Sequence, residues 1–125
     1  MLNLKKSIIS FLLLPVASVA FFSSVANAET LKTKNFSIQI TRNCAEGNVT
    51  CNKVTYFGKD LRTGKSIRLT GKTIHAVGAD GVTPSRFLGY EFRNNKYLYR
   101  VTSDNKLLVF NGKKLILQEQ GTVSY

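Results

Sequence analysis

Apolar and polar residues alternate with a period of two along the second half of this chain. Between Phe87 and Glu119 the sequence reads FLGYEFRNNKYLYRVTSDNKLLVFNGKKLILQE, four short apolar runs separated by three turn signals. Leu88, Tyr90 and Phe92 alternate with Phe87, Gly89 and Glu91, and Tyr97, Tyr99 and Val101 alternate with Leu98 and Arg100. Such alternation places one set of side chains on each face of a strand, so each run predicts a strand with one buried and one wet face. The breaks at Arg93–Lys96, Ser103–Lys106 and Asn111-Gly112 are short and rich in Asn, Asp and Gly. Residues of that kind turn the chain back on itself, so the four runs form an antiparallel meander. Asn111-Gly112 predicts a type I′ hairpin, because both residues accept the positive φ of that turn. Gly89 marks a bend or a place where another backbone comes close.

The first half of the mature chain extends the pattern. Phe36, Ile38 and Ile40 alternate with Ser37, Gln39 and Thr41, a half-buried strand. Val54–Phe57 begins another strand, Gly58–Ser66 reads as a hairpin turn, and Ile67 and Leu69 resume the alternation. Gly71-Lys72 predicts a bulge or tight turn before Ile74 and Ala76. Gly78–Arg86, with two glycines, an aspartate and a proline, is a loop. Glu29–Asn35 is polar and reads as a frayed end. No long stretch carries a helical period. The expected fold is all-β, a small antiparallel barrel or strongly twisted sheet of about seven to eight short strands. A small α+β domain is the alternative. The plain reading of the aromatics is that they fill the core; the functional one is that an aromatic face stays open to bind.

The amino-terminal residues change the picture by giving the chain an address. Lys5 and Lys6 precede a mostly apolar run from Ile8 to Phe22, and Ala26-Asn27-Ala28 has the small-x-small form that signal peptidase accepts. Residues 1–28 therefore read as a cleavable signal peptide, and 29–125 as one small β domain, periplasmic or secreted. The run is short for a membrane anchor and contains Pro15, so no transmembrane span is expected in the mature chain.

Charge and cysteines follow from that address. The full chain carries +11 at pH 7. Loss of Lys5 and Lys6 leaves about +9 on the mature domain, a balance that favours anionic partners. The charges are scattered, and the longest basic cluster is Lys113-Lys114. Cys44 and Cys51 are the two cysteines, and an exported chain meets oxidants, so they predict a single disulfide. Their spacing is not that of a C-x-x-C redox motif. With His75 the sole histidine, no metal site or cofactor is expected.

Other candidate chemistries fall away on spacing. Gly58 to Ser66 resembles a phosphate-binding loop, but five residues separate Gly58 from Gly64-Lys65 where the motif needs four. Asn48-Val49-Thr50 matches a glycosylation acceptor, a short motif frequent by chance. His75, Asp80 and Ser85 make a Ser-His-Asp set on paper, without nucleophile-elbow glycines around Ser85. No acid–base pair or nucleophile stands out, so no enzymatic activity is expected.

The expected function is that of an exported, non-enzymatic binding protein. In size, export and meander layout the chain is similar to the bacterial lysozyme-inhibitor barrels and to periplasmic toxin-immunity proteins. That resemblance is architectural. Ser85-Arg86-Phe87-Leu88-Gly89-Tyr90 departs from the inhibitors' Ser-Gly and Tyr motif and the chain has no tryptophan, so no residue role is carried over. The implied partner is another periplasmic or envelope protein, docked on Gly78–Arg86 and nearby hairpin tips. The candidate binding residues are Asp80, Thr83, Ser85, Arg86, Arg93, Lys96 and Arg100. The alternative is a basic module for anionic envelope polymers such as lipopolysaccharide. It would use Arg62, Lys65, Arg68, Lys72, Arg86, Arg93, Lys96 and Arg100. Export argues against nucleic acid as the ligand.

Overall fold

The computed structural model describes residues 28–125. The signal peptide expected over residues 1–28 lies outside them apart from Ala28, which opens the first strand. The described chain is all-β: β1 (Ala28–Lys32), β2 (Phe36–Arg42), β3 (Val54–Asp60), β4 (Ser66–Val77), β5 (Pro84–Asn94), β6 (Tyr97–Thr102), β7 (Lys106–Asn111), β8 (Lys114–Gln120) and β9 (Thr122–Ser124). No helix among these residues is long and apolar enough to cross a membrane. The strands lie in one antiparallel sheet in the order β8-β7-β6-β5-β4-β3-β2-β1-β9. Since only Gly121 separates β8 from β9, one bent segment occupies both ends of that order, and the sheet curls into a nearly closed barrel.

Register sets the core. Ile40 pairs with Tyr56 and Tyr56 with Leu69. Phe92, Tyr99, Val109 and Leu117 form a second inward row, and Tyr90, Val101, Leu107 and Glu119 a third. Alternate residues of a strand share a face, so these rows line the interior. Leu31, Ile38, Ile40, Val54, Tyr56, Phe92 and Leu107 are the most completely buried side chains. The meander and its inward aromatics agree with the alternation in sequence. Gly89, at φ 138°, lies where an added Cβ would come within 2.3 Å of the Val101 carbonyl oxygen, the close approach that its position implied.

Cys44 and Cys51 are joined, with Cα atoms 5.8 Å apart. Cys51 is buried and tied to β4: its N–H donates to the Thr73 hydroxyl at 2.9 Å, and its carbonyl accepts from the Thr73 N–H at 2.9 Å. The disulfide loop is thus stapled to the barrel wall.

Five expectations change. There are nine strands where about seven to eight were expected, because both ends of the described chain pair into the sheet. Glu29–Lys32, part of the Glu29–Asn35 stretch expected to fray, lie in β1, with Leu31 buried between Ile38 and Val123; a single apolar residue at the right register outweighs the polar composition. Gly58–Asp60 belong to β3, and β4 runs straight through Gly71-Lys72, its irregularities lying between Ile74 and Val77. Asn111 pairs with Lys114, so Gly112-Lys113 is the turn, with Gly112 at φ 63° and neither Asn111 nor Lys113 positive. A type I′ turn needs two positive φ values; glycine at the first central position is the type II′ pattern.

Closure depends on two side-chain features. Glu119 points inward from the end of β8 and reaches the β1–β2 turn. It accepts from the Thr33 hydroxyl at 2.7 Å, the Asn35 N–H at 3.1 Å and the Asn35 side-chain amide at 2.6 Å. Burial alone would raise its carboxyl pKa; these three donors outweigh burial and lower it. Gly121 then passes against β1, where a Cβ would stand 2.7 Å from Leu31 Cδ1 and from the Lys32 carbonyl oxygen.

Two outcomes test this closure. Gly121→Ala forces β9 away from β1 and is expected to cost about 1–3 kcal/mol, read as a lower urea midpoint with an unchanged m-value. Glu119→Gln is expected to cost about 1–2 kcal/mol at pH 7. Because folding lowers the Glu119 pKa, its contribution is full above the ordinary carboxylate range and is lost as pH falls through the folded value. The gap between wild type and Glu119→Gln therefore narrows in acid, and a gap constant from pH 7 to pH 2 would contradict the assignment.

Candidate functional site

The two longest strands build the most prominent surface feature. β4 has 12 residues and β5 has 11. On the β3 side, β4 is paired only as far as Gly71, with Thr73 held by Cys51 just beyond. On the β6 side, β5 is paired from Gly89 onward, with one further bond from Ser103 N–H to the Leu88 carbonyl. Beyond those points the two strands pair their backbones only with each other among the described residues. At the rise of a strand, the hairpin extends past Thr73 by about 13 Å.

The root of this hairpin is braced by stacked rings. The Arg42 guanidinium lies 5.1 Å from the Phe87 ring centroid and 5.4 Å from that of Tyr90, and its Nε donates to the Tyr90 hydroxyl at 3.2 Å. Phe87 meets Tyr90 edge-on at 5.1 Å and His75 at 5.6 Å. Planar cation–ring and edge-to-face contacts of this kind hold an orientation as well as a distance. Glu29 lies near the same guanidinium. Burial raises its carboxyl pKa, and attraction to Arg42 opposes the rise.

The tip, Gly78–Thr83, is held from within. Gly78 N–H donates to the Thr83 carbonyl at 2.7 Å, and Gly81 N–H to the Gly78 carbonyl at 3.0 Å. Asp80 Oδ1 accepts from the N–H groups of Val82 at 2.9 Å and Thr83 at 2.8 Å, and Oδ2 accepts from the Thr83 hydroxyl. The Thr83 hydroxyl and these amides pull the Asp80 carboxyl down to about 2. Ser85 Oγ donates to the Ala76 carbonyl at 3.1 Å, closing the neck of the hairpin.

The structure therefore brings Asp80, Thr83 and Ser85 together but occupies their polar groups internally. They shape the tip; the groups left free to touch a partner are Val82, 78% exposed, Val77, 59% exposed, and Arg86. The Asp-Gly-x-Thr spacing signals such a turn in the sequence. Val82 falls inside the Gly78–Arg86 loop that the composition signals, but nothing in the sequence distinguishes Val77 from a core valine, because its exposure is set by the hairpin outrunning its neighbours.

Arg93, Lys96 and Arg100 belong elsewhere. Arg93 and Arg100 stand on the outer wall, and Lys96 occupies the β5–β6 turn at the opposite end of β5 from the tip. Seven residues of strand separate Arg86 from Arg93, about 23 Å. In the register, Lys72, Glu91 and Arg100 are neighbours across β4, β5 and β6, with Arg100 bonded to Glu91 at 3.2 Å. Arg68 and Arg93 share that outer face by alternation along their strands. The stripe of cations is real, but Glu91 sits within it.

His75, Asp80 and Ser85 are not linked. Ser85 donates to a backbone carbonyl, Asp80 is taken up by the tip, and both ring nitrogens of His75 are buried without a hydrogen-bond partner among the described residues.

The order of the tip hangs on one carboxylate, which yields a direct test. Asp80→Ala is expected to remove the hydrogen-exchange protection of the Val82 and Thr83 amides while leaving β6 and β7 amides unchanged. In the wild type, the same protection persists through mild acid and disappears only as pH falls through about 2, since a carboxylate with a depressed pKa contributes until it is protonated. Unchanged protection in Asp80→Ala would show that the backbone alone sets the tip. Comparisons of this chain with models of known protein families, with curated proteins and with solved structures found no match.

Proposed function

We propose that this is an exported, non-enzymatic binding protein of the cell envelope that docks on another protein through the β4–β5 tip, as an inhibitor or immunity-type factor does. The observation that carries this reading is an apolar side chain, Val82, held out to solvent on a turn fastened by Asp80. A loop already ordered in the free protein loses little entropy on binding, so more of its contact energy appears as affinity. Val82 and Val77 supply the apolar centre of such a contact, and Arg86 a charged rim.

A second reading rests on the outer wall. Arg68, Lys72, Arg93 and Arg100 share one face of the sheet, and an anionic envelope polymer is the natural ligand for such a stripe. The two readings respond differently to salt. Exposed charges are screened over about 8–10 Å at 0.1–0.15 M salt, whereas apolar anchoring is not.

The deciding experiment immobilises the purified protein, applies an envelope extract and washes at low and then 1 M salt. The tip reading expects one protein retained at high salt, with retention falling at least about tenfold for Val82→Asp, a substitution on an exposed side chain that leaves the barrel intact. The wall reading expects salt-labile acidic material retained equally by Val82→Asp and lost in Arg93→Glu. Retention at high salt that is indifferent to Val82→Asp would refute docking through the tip.

A further inference from the structure

The barrel interior is not filled at the end remote from the tip. Between the start of β2, the end of β3 and the start of β4 lies a cavity of about 270 Å³, walled by Phe36, Tyr56, Ile67 and Tyr99, with Asp60 and Lys65 at its rim. The cause is local. Gly58 occupies the inward position opposite Ile38 and Ile67, where any other residue would add a side chain to the barrel mouth. A Cβ there would come within 2.5–2.8 Å of the Tyr56 ring and hydroxyl. The Tyr56 ring lies over the bare Gly58 backbone, and the mouth beyond stays open.

The walls have a definite chemistry. Tyr56 packs against Phe92 at 5.1 Å and Tyr99 at 5.5 Å, which fixes the plane of its ring. The residue is 1% exposed; its hydroxyl makes no hydrogen bond to another described residue and is not one of the fully buried unpaired polar atoms, because Tyr56 lines the open cavity. A phenol that faces a cavity without a protein partner is free to donate to a ligand there. Burial also pushes its pKa well above the ordinary range, so it stays a donor. At the rim, Asp60 is engaged by Arg62 through two contacts, Nε to Oδ1 at 3.1 Å and a terminal nitrogen to Oδ2 at 3.0 Å. Arg62 in turn lies 5.4 Å from the Phe36 ring centroid. With Arg62 answered by Asp60 and also attracted to Glu119, Lys65 is the cation at this rim left without an acidic partner among the described residues.

We propose that this mouth is a binding site for a small aromatic carboxylate, its ring held between Phe36 and Tyr99 and its oxygens met by Lys65 and the Tyr56 hydroxyl. Size limits the class. A cavity of about 150 Å³ accepts benzene, so this one has room for one ring or a fused pair. Charge limits it further: neutral rings leave Lys65 unanswered, and cations meet Lys65. The site lies at the opposite end of β4 from the tip and does not depend on the docking reading.

The test is an NMR titration of the purified protein with 1-naphthoate, beside 1-naphthalenemethanol and 1-naphthylmethylammonium. The expected result is saturable shifts of the Phe36, Tyr56 and Tyr99 ring signals by 1-naphthoate, with the alcohol about tenfold weaker and the cation without effect. Tyr56→Phe and Lys65→Gln each weaken 1-naphthoate by about five- to tenfold. Lys65 is exposed, so Lys65→Gln keeps the test valid even if Tyr56→Phe perturbs the core. No saturable shift up to about 1 mM, equal binding of the three probes, or an affinity indifferent to Lys65→Gln would each overturn the proposal.

Discussion

The barrel rests on how its two ends meet. A sheet that curls through nine strands leaves an exposed edge unless the last strand reaches the first. Here the reach is made by one bent segment, β8 and β9, and the bend is held by Glu119. A carboxylate has only acceptors, and Glu119 spends its oxygens on the Thr33 hydroxyl and on the N–H and side chain of Asn35. The β1–β2 turn is thereby pinned to a residue 84 to 86 positions away in sequence. Gln120 and Gly121 add bonds to the β6–β7 turn at Asp104 and Asn105. Once these are in place, Leu31 is buried against Ile38 and Val123, and the interior aromatics are sealed on that side.

Closure of this kind divides the molecule into a barrel body and two distinct ends. The barrel body is braced by the disulfide at Thr73, by cross-strand rows of apolar residues and by the Arg42–Phe87–Tyr90 stack. From that body β4 and β5 run on past their neighbours and end in a turn that carries its own hydrogen bonds. At the other end a glycine on the inward face of β3 leaves room inside the mouth. The long β4 connects the two, Ile67 lining the cavity and Val77 standing exposed beside the tip. Both ends use the same device: polar groups are committed within the protein, Asp80 to Thr83 and Asp60 to Arg62, so that the groups left over define the surface.

Much of the architecture was legible in the residues alone. Period-two alternation and the three turn signals determined an antiparallel meander, its inward faces and an all-β fold, because strand geometry sends successive side chains to opposite sides whatever they pack against. Two cysteines in a chain expected to be exported determined one disulfide. Asp80-Gly81 determined a turn. What the residues could not display were relations between distant segments. Whether Glu29–Lys32 frays or forms a strand depends on Leu31 finding Ile38 and Val123. Whether Asp80, Thr83 and Ser85 are contact groups or internal braces depends on how far the hairpin outruns its neighbours, which also exposes Val77 and parts Arg86 from Arg93. The open mouth depends on Gly58 coming to face Ile38 and Ile67, and on the Tyr56 ring turning over it. Local patterning sets the direction of each side chain; only closure of the sheet decides which of those directions end in core, in solvent or in a cavity.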